Sequence, residues 1–253
     1  MSSAGKSGAG KAGAAALRAL HVPGDPLVLP NVWDAASARV VAGVFPAVAT
    51  ASAAVAPALG HLDGEDAPAD EVFAAVARVA RAVDVPVTAD VERGYGLPPA
   101  EVAARLAEAG AVGCNLEDSD PATQRLVGQE EQVEFLGAVR AADPDLVINA
   151  RVDVFLHGSR SFDEGVARAR AYLAAGADCV YPIFLPAGSA REFCRAVGGP
   201  VNLGHGPGQP TPAELGRLGA ARVSFGPGLH RLLLAHLTEL VTGIRDGRSP
   251  FTA

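Results

Sequence analysis

Residues 86–96 read PVTADVERGYG. A β-branched run ends in two carboxylates two positions apart, Asp90 and Glu92, and the chain then turns through Gly94, Tyr95 and Gly96. Side chains two apart on a strand share a face and lie about 7 Å from one another. At an effective dielectric near 20, two charges at that separation repel by roughly 2 kcal/mol. The stretch reads as the C-terminal end of a buried strand carrying concentrated negative charge that calls for a positive counterpart.

Seven further apolar, β-rich runs surround it: LVLPNVW (27–33), AVATAS (47–52), AVGCNLE (111–117), DLVINARVD (145–153), DCVYPIF (178–184), PVNLG (200–204) and ARVSFG (221–226). Amphipathic stretches separate them. Between 68 and 83, for instance, Val72, Phe73, Val76, Val79, Ala80 and Val83 fall on one helical stripe. Helix starts carry suitable residues: Asp34 as a cap, Pro98 and Pro99 at an opening turn, and Ser161 before a further helix. Eight β/α alternations in 253 residues predict a single α/β domain over 17–253, a (β/α)8 TIM-type barrel, because nearly continuous apolar strands need cover on both faces. An open doubly wound sheet is the alternative, but no G-x-G-x-x-G opens the first helix. The final stretch, 229–244, carries a wide stripe of Leu229, Leu232, Leu233, Leu237, Leu240, Val241 and Ile244. Barrel packing is expected to cover most of it, with an excess left for contact between subunits.

Residues 1–16, MSSAGKSGAGKAGAAA, read as a disordered, low-complexity tail. Its GKSGAGKA resembles a phosphate-binding loop but has Ala12 where a metal-binding hydroxyl belongs, and no strand precedes it. The tail also holds both lysines of the chain, Lys6 and Lys11. Schiff-base, pyridoxal phosphate and lysine-base mechanisms therefore lack their essential group. A net charge of -7 without a basic run argues against nucleic acid. Cys114, Cys179 and Cys194 have no metal-like spacing and suit a reducing, cytoplasmic setting, and no apolar run is long enough to span a membrane.

Chemistry in such barrels gathers at the strand C-termini. There the chain places Thr50 and Ser52, Asp90 and Glu92, Asn115, Glu117 and Asp118, Arg151 and Asp153, and Asn202. Asp90, Glu92 and Glu117 form an acid cluster that suits a hard divalent cation, Mg²⁺ or alternatively Mn²⁺, since no His pair or Cys set accompanies it. Asp118 and Asp153 are readable as helix caps or surface ion pairs.

These residues lie in motifs that resemble the isocitrate lyase and phosphoenolpyruvate mutase superfamily. NVWDAASARV is similar to its D-A-x-S-A-R helix, TASAAVAPALGHLDGE to its T-x-S…L-G-x-x-D segment, and ADVERGYG to its A-D-x-D-x-G-Y-G. NLEDSD, INARVD and LGAARVSFGPG follow in the order of its I-E-D, I-A-R-T-D and closing strand. The resemblance implies a Mg²⁺ site with Asp90 as direct ligand and Asp63, Glu92 and Glu117 acting through waters. It also implies a substrate carboxylate resting on Ser52 and Ala53, with Arg151 stabilising charge on the substrate. Asn202 is a further substrate-binding candidate. The implied reaction makes or breaks a carbon-carbon bond beside a 2-oxo carboxylate through a metal-stabilised enolate. The implied substrate is a small 2-oxo acid or dicarboxylate, and the implied assembly a homodimer or homotetramer with exchange of the last helix.

The chain departs from the lyase branch after NLED, where SDPATQRLVGQEE replaces the loop motif K-K/R-C-G-H and its acid/base cysteine. Cys114, three positions before Glu117, is expected to face the helices instead. Tyr95 and His205 are the candidate proton carriers, His61 a candidate for ordering a metal-bound water or capping its loop, and Trp33 a pocket wall. Three rivals stay open: phosphonopyruvate hydrolase or mutase chemistry at a carbon-phosphorus bond, a metal-dependent aldol condensing enzyme, and a non-catalytic carboxylate-binding scaffold.

Overall fold

Pro30 interrupts the first strand and thereby lets it serve two neighbours. Proline has no N–H to give a ladder, and the chain pairs differently on its two sides. Leu27–Leu29 runs parallel to Arg222–Ser224, whereas Asn31–Val32 runs parallel to Val48–Thr50. We number these as one strand, β1, followed by β2 (Val48–Thr50), β3 (Val87–Asp90), β4 (Gly113–Leu116), β5 (Val147–Arg151), β6 (Cys179–Tyr181), β7 (Asn202–Gly204) and β8 (Arg222–Ser224). β2 to β6 pair in sequence, a Val180–Val201 bridge joins β6 to β7, and β7 pairs with β8. All contacts are parallel, and β1 closes the ring. This computed structural model describes residues 3–251, with side chains from residue 10 onward. The (β/α)8 barrel predicted from the eight runs is the observed fold.

The helices are α1 (Ser3–Ala19), α2 (Ala35–Ala42), α3 (Ser52–Leu59), α4 (Ala69–Ala80), α5 (Pro99–Ala109), α6 (Gln129–Ala142), α7 (Phe162–Ala174), α8 (Ala190–Val197), α9 (Pro212–Arg217) and α10 (Gly228–Arg245). The expected caps are present: Asp34 forms a capping box with Ser37, Pro99 opens α5, and the Ser161 hydroxyl accepts from Glu164 N–H. On each strand one parity faces these helices. Ala89, Cys114, Leu116, Ile148, Ala150, Val180 and Val223 pack against Val76, Leu106, Leu136, Val139 and Phe193 in one continuous core. Cys114 lies in it, as its position predicted. Burial pushes the Cys114 thiol far above its usual range and that of Cys179 up to about 12, which removes both as nucleophiles.

Two expectations are corrected. The segment assigned to a disordered tail is largely α1, although residues 1 and 2 lie outside the described residues. Its Ala14 and Leu17 are buried against Leu27, Leu29, Ala47, Ala49 and Val147 and plug the barrel at the end where the strands begin. Gly113 makes room for this plug, since a Cβ there would lie 2.8 Å from a Leu17 methyl. Arg18 fastens it, donating to Asp178 at 2.6 Å and to the carbonyls of Asp145 and Leu146. Second, barrel packing does not cover α10. His230 and Gly243 are its buried residues, while Leu232, Leu233, Leu234, Leu237, Val241 and Ile244 are exposed.

The turn after α1 buries His21, whose Nδ1 lies 2.9 Å from the Leu17 carbonyl. Because a carbonyl only accepts, Nδ1 carries the proton and the ring is neutral at Nε2. Burial, then the Arg222 charge, lower its pKa from 6.5 to about 4. A histidine whose folded pKa is depressed stabilises the fold fully above its unfolded pKa, and that contribution falls as acid protonates the unfolded chain alone. Wild type should therefore lose about 2 kcal/mol between pH 7 and pH 5 relative to His21→Gln. Urea denaturation of both proteins at the two pH values measures this difference, and parallel curves would refute it.

Candidate active site

The C-terminal ends of the strands surround a cavity of about 610 Å³. Asp90, at the end of β3, is fixed from below and beside. Its N–H donates to the Thr50 hydroxyl at 2.8 Å, and its Oδ2 accepts from the N–H and hydroxyl of Ser52 at 3.1 and 3.2 Å. Ser52 opens α3, so that carboxylate oxygen caps the positive end of a helix. The other oxygen, Oδ1, is buried and has no hydrogen-bond partner. A buried, unpartnered carboxylate oxygen facing other acids is the observation that fits a cation.

The acids around it are disposed to be reluctant anions. Glu92 is buried at a positive φ of 48° and accepts from the Tyr95 hydroxyl at 2.8 Å. Burial, which outweighs the opposing Tyr95 hydrogen bond, raises its carboxyl to about 7, and the charges of Asp63, Asp90 and Glu65 add to the rise. Glu117 lies 2.6 Å from Arg151 Nη1, yet burial holds its pKa well above the usual carboxylate range. Asp63 sits on the rim, where loss of water and then the Asp90 charge lift its carboxyl. Among the described residues no three acids, histidines or cysteines converge as a direct ligand set. The side chains nearest Asp90 Oδ1 offer carboxylate oxygens, the donor type Mg²⁺ takes one or two of directly while keeping its waters.

Arg151, at the end of β5, is buried and pairs with Glu117 and with Asp153 at 2.8 Å, with Tyr181 stacked 5.6 Å beneath its guanidinium. His205 follows β7. Its Nδ1 lies 3.0 Å from the Pro210 carbonyl, which fixes the proton of the neutral ring on Nδ1 and leaves Nε2 as the acceptor. Asp63, Asp90, Glu92, Glu117, Ser52, Ala53, Arg151 and His205 all line the cavity, so the structure brings together most residues singled out in the sequence.

Asn202 does not line the cavity. It is fully buried one layer below, donating to the Ser224 hydroxyl at 3.0 Å. Tyr95 also lies outside the lining; its hydroxyl donates to Glu92, and burial and that carboxylate push its pKa far upward. His61 turns to Glu71 at 3.1 Å, and Trp33 stacks on His230 at 4.8 Å as an anchor of α10 instead of forming a pocket wall. Asp118 and Asp153 are neither surface pairs nor exposed caps. Asp118 is fully buried against the Tyr172 hydroxyl at 2.7 Å and Arg168 at 3.1 Å, and it accepts the N–H of Asp153 at 2.8 Å.

Residues that the sequence reading missed hold this frame. Glu65 accepts the N–H groups of Arg93 and Tyr95 at 2.9 and 2.7 Å, clamping the glycine turn after β3. Buried Gln132 bridges Arg93 and the Glu117 carbonyl at 2.7 and 2.9 Å. The segment after β4 is a short antiparallel hairpin, Ser119–Asp120 with Arg125–Leu126, which brings Ser119, Pro121 and Gln124 to the cavity and no acid/base group.

A parallel (β/α)8 barrel with a carboxylate cluster and a buried arginine at its C-terminal mouth defines a site for a cation and a small anionic ligand. Comparison with known proteins narrows the class. A family model described as phosphoenolpyruvate phosphomutase matches residues 17–245. The chain is 33% identical over 258 residues to the oxaloacetate decarboxylase of Rhodopseudomonas palustris strain CGA009, covering 93% of this chain and 86% of that protein. It is 36% identical over 231 residues to the uncharacterized protein Rv1998c of Mycobacterium tuberculosis H37Rv, covering 90% and 88%. A crystal structure from Burkholderia cenocepacia J2315, provisionally assigned as a phosphonomutase, superposes with a TM-score of 0.86 at 42% identity, covering 91% and 99%. The chain belongs to the isocitrate lyase/phosphoenolpyruvate mutase superfamily. That superfamily comprises Mg²⁺-dependent lyases and mutases.

The Asp118–Arg168 pair holds Asp153 and hence Arg151. Breaking a buried pair by removing one partner leaves an uncompensated charge, so Arg168→Met should cost about 3–5 kcal/mol in urea denaturation. A loss below about 1 kcal/mol, the range of an exposed pair, would show that this network does not support the site.

Proposed function

We propose that this protein cleaves the bond at C3 of a small 2-oxo acid, with a β-carboxyl group such as that of oxaloacetate as the departing group. The observation that carries this reading is the pairing, within one cavity, of the buried unpartnered Asp90 Oδ1 with Arg151 and His205, while the neighbouring hairpin offers no acid or base. Aldol-type cleavage needs a base to take a proton from a C2 hydroxyl. Decarboxylation does not, because carbon dioxide leaves without a proton transfer and only the remaining carbon must be protonated. The Rhodopseudomonas relatives named for oxaloacetate decarboxylation support the same choice.

Asp90 would hold the metal directly, with Asp63, Glu92 and Glu117 orienting its waters. Mg²⁺ bound there, or Mn²⁺ in its place, supplies electrostatic stabilisation of negative charge on the keto oxygen. Ala53, in the first turn of α3, would offer its N–H to the substrate carboxylate, and Ser52 would join it by turning its hydroxyl from Asp90 Oδ2 to the substrate. Arg151, kept charged by Asp153 and Glu117, stabilises the enolate that forms as the bond parts. His205 takes up a solvent proton at Nε2 while keeping its Nδ1–H on the Pro210 carbonyl, passes the Nε2 proton to C3 and returns to the neutral ring. The wall from Tyr181 to Leu185 is apolar or aromatic and excludes water from that carbon.

Purified protein with Mg²⁺ should convert oxaloacetate to pyruvate and carbon dioxide above the metal-catalysed background. Asp90→Asn should lower kcat/KM by about 10³-fold, and His205→Gln kcat by about 10²-fold. Release of phosphate from phosphonopyruvate with no action on oxaloacetate would instead assign the carbon-phosphorus reading. Binding of oxalate without turnover of either substrate would assign a carboxylate-binding scaffold.

The exposed stripe of α10 supports a homo-oligomer in which this helix packs on, or exchanges with, a second copy. Light scattering should give a dimer or tetramer for wild type and a smaller species for Leu233→Glu with Leu237→Glu. A monomeric wild type would refute this assembly.

A further inference from the structure

The barrel interior below the site is not filled in the ordinary way. Barrel layers are dominated by branched apolar side chains, but here Asn115, Asn149, Asn202, Arg222 and Ser224 occupy the interior between the α1 plug and the cavity, and each is buried. They form one chain of hydrogen bonds. Asn149 donates to Asn115 Oδ1 at 2.8 Å, Arg222 donates to the same oxygen at 3.3 Å and to Ser224 Oγ at 3.2 Å, and Asn202 donates to Ser224 at 3.0 Å. Asn115 and Ser224 are floor residues of the cavity.

Arg222 is only 1% exposed, and every partner it has is neutral. Among the described residues no carboxylate lies within ion-pair distance of it, and its Nη1 is without a partner. The other two buried arginines behave differently: Arg151 is paired with Glu117 and Asp153, and Arg168 with Asp118 and Glu164. A buried charge without a counter-ion is costly and its field is weakly screened. Asp90 acts on it only across space, without an ion pair, so an anion in the cavity above would add to that compensation.

We propose that Arg222 is a positioning residue for the bound anion: its uncompensated charge, one side-chain layer beneath the floor, favours an anionic ligand in the cavity and opposes the cation that the acid cluster attracts. This rests on the proposed function for the identity of the two ligands, but the assignment of Arg222 has its own signature. Through Asn115 and Ser224 the charge acts across space without touching substrate. It makes metal and anion binding interdependent, because the anion relieves the repulsion between the metal and Arg222.

Calorimetric titration of Mg²⁺ alone, and of oxalate at saturating Mg²⁺, separates this from a structural role. In Arg222→Met, oxalate affinity should fall by at least roughly tenfold while Mg²⁺ affinity in the absence of oxalate rises by at least roughly threefold, the opposed directions expected for loss of one buried positive charge. Arg222→Lys should keep both affinities within about threefold of wild type. Asn202→Asp, which adds a carboxylate to the same layer, should give the same opposed shifts as Arg222→Met. A merely structural role moves both affinities downward together. Parallel losses or unchanged affinities in folded Arg222→Met overturn the proposal. If that variant does not fold, the same outcomes in Asn202→Asp overturn it. Failure of wild type to bind either ligand would count against the proposed function itself.

Discussion

The site depends on how one carboxylate is held. Asp90 gives Oδ2 to the first turn of α3 through both the N–H and the hydroxyl of Ser52, and its own N–H is tied to Thr50. With one oxygen committed to a helix terminus and the other buried and unpartnered, its orientation is set before any ligand arrives. Glu92, Asp63 and Glu117 then face a fixed negative point, which is why burial and mutual repulsion lift all three carboxyls above their ordinary range. Such a cluster is held together by the surrounding backbone. Glu65 and Gln132 clamp the turn that carries Glu92 at a positive φ, a conformation non-glycine residues adopt at a cost when the neighbouring structure enforces it.

Much of this was legible because it is written in short range. The β-branched runs and the helix caps are local features and appear where the sequence placed them, whereas Glu92, expected on the strand face beside Asp90, lies in the turn after β3 at a φ of 48° and reaches the cavity from there. What was not legible depends on partners distant in the chain. Asp118 looked like a cap because nothing local announces Arg168, fifty residues later, or Tyr172 one turn beyond it. Asn202 sits at the right end of the right strand, yet the alternation of a strand does not fix depth within a barrel, and its side chain falls one layer too low to meet a ligand. The N-terminal segment misled for the opposite reason. Its Gly, Ser and Ala content suggested a tail, but small residues are what a helix needs where it enters the bottom of a barrel, with Leu17 as the plug and Gly113 as its socket.

The same distinction explains α10. Its apolar stripe has the period of a barrel helix, and periodicity cannot say which surface a stripe covers. In the structure the helix is fixed mainly at its start, where buried His230 stacks on Trp33 beside β1, and its leucines face outward. Arg231, the next residue, lines the cavity and acts on Asp63. The element that presents the uncovered apolar face therefore begins inside the site.

Taken through its charges, the barrel is a graded column. At the bottom an apolar plug and neutral His21 exclude water; in the middle an unpaired guanidinium is surrounded by amides and hydroxyls; at the top, acids outnumber arginines. The Arg222 charge and the acids above it do not cancel, because among the described residues Arg222 forms no ion pair and the low dielectric preserves each field. A small dianion chelating a cation is itself such a stack, positive beside negative over about the same distance. Under the proposed function, an interior arranged this way would favour the metal–anion pair as a unit over either ion alone.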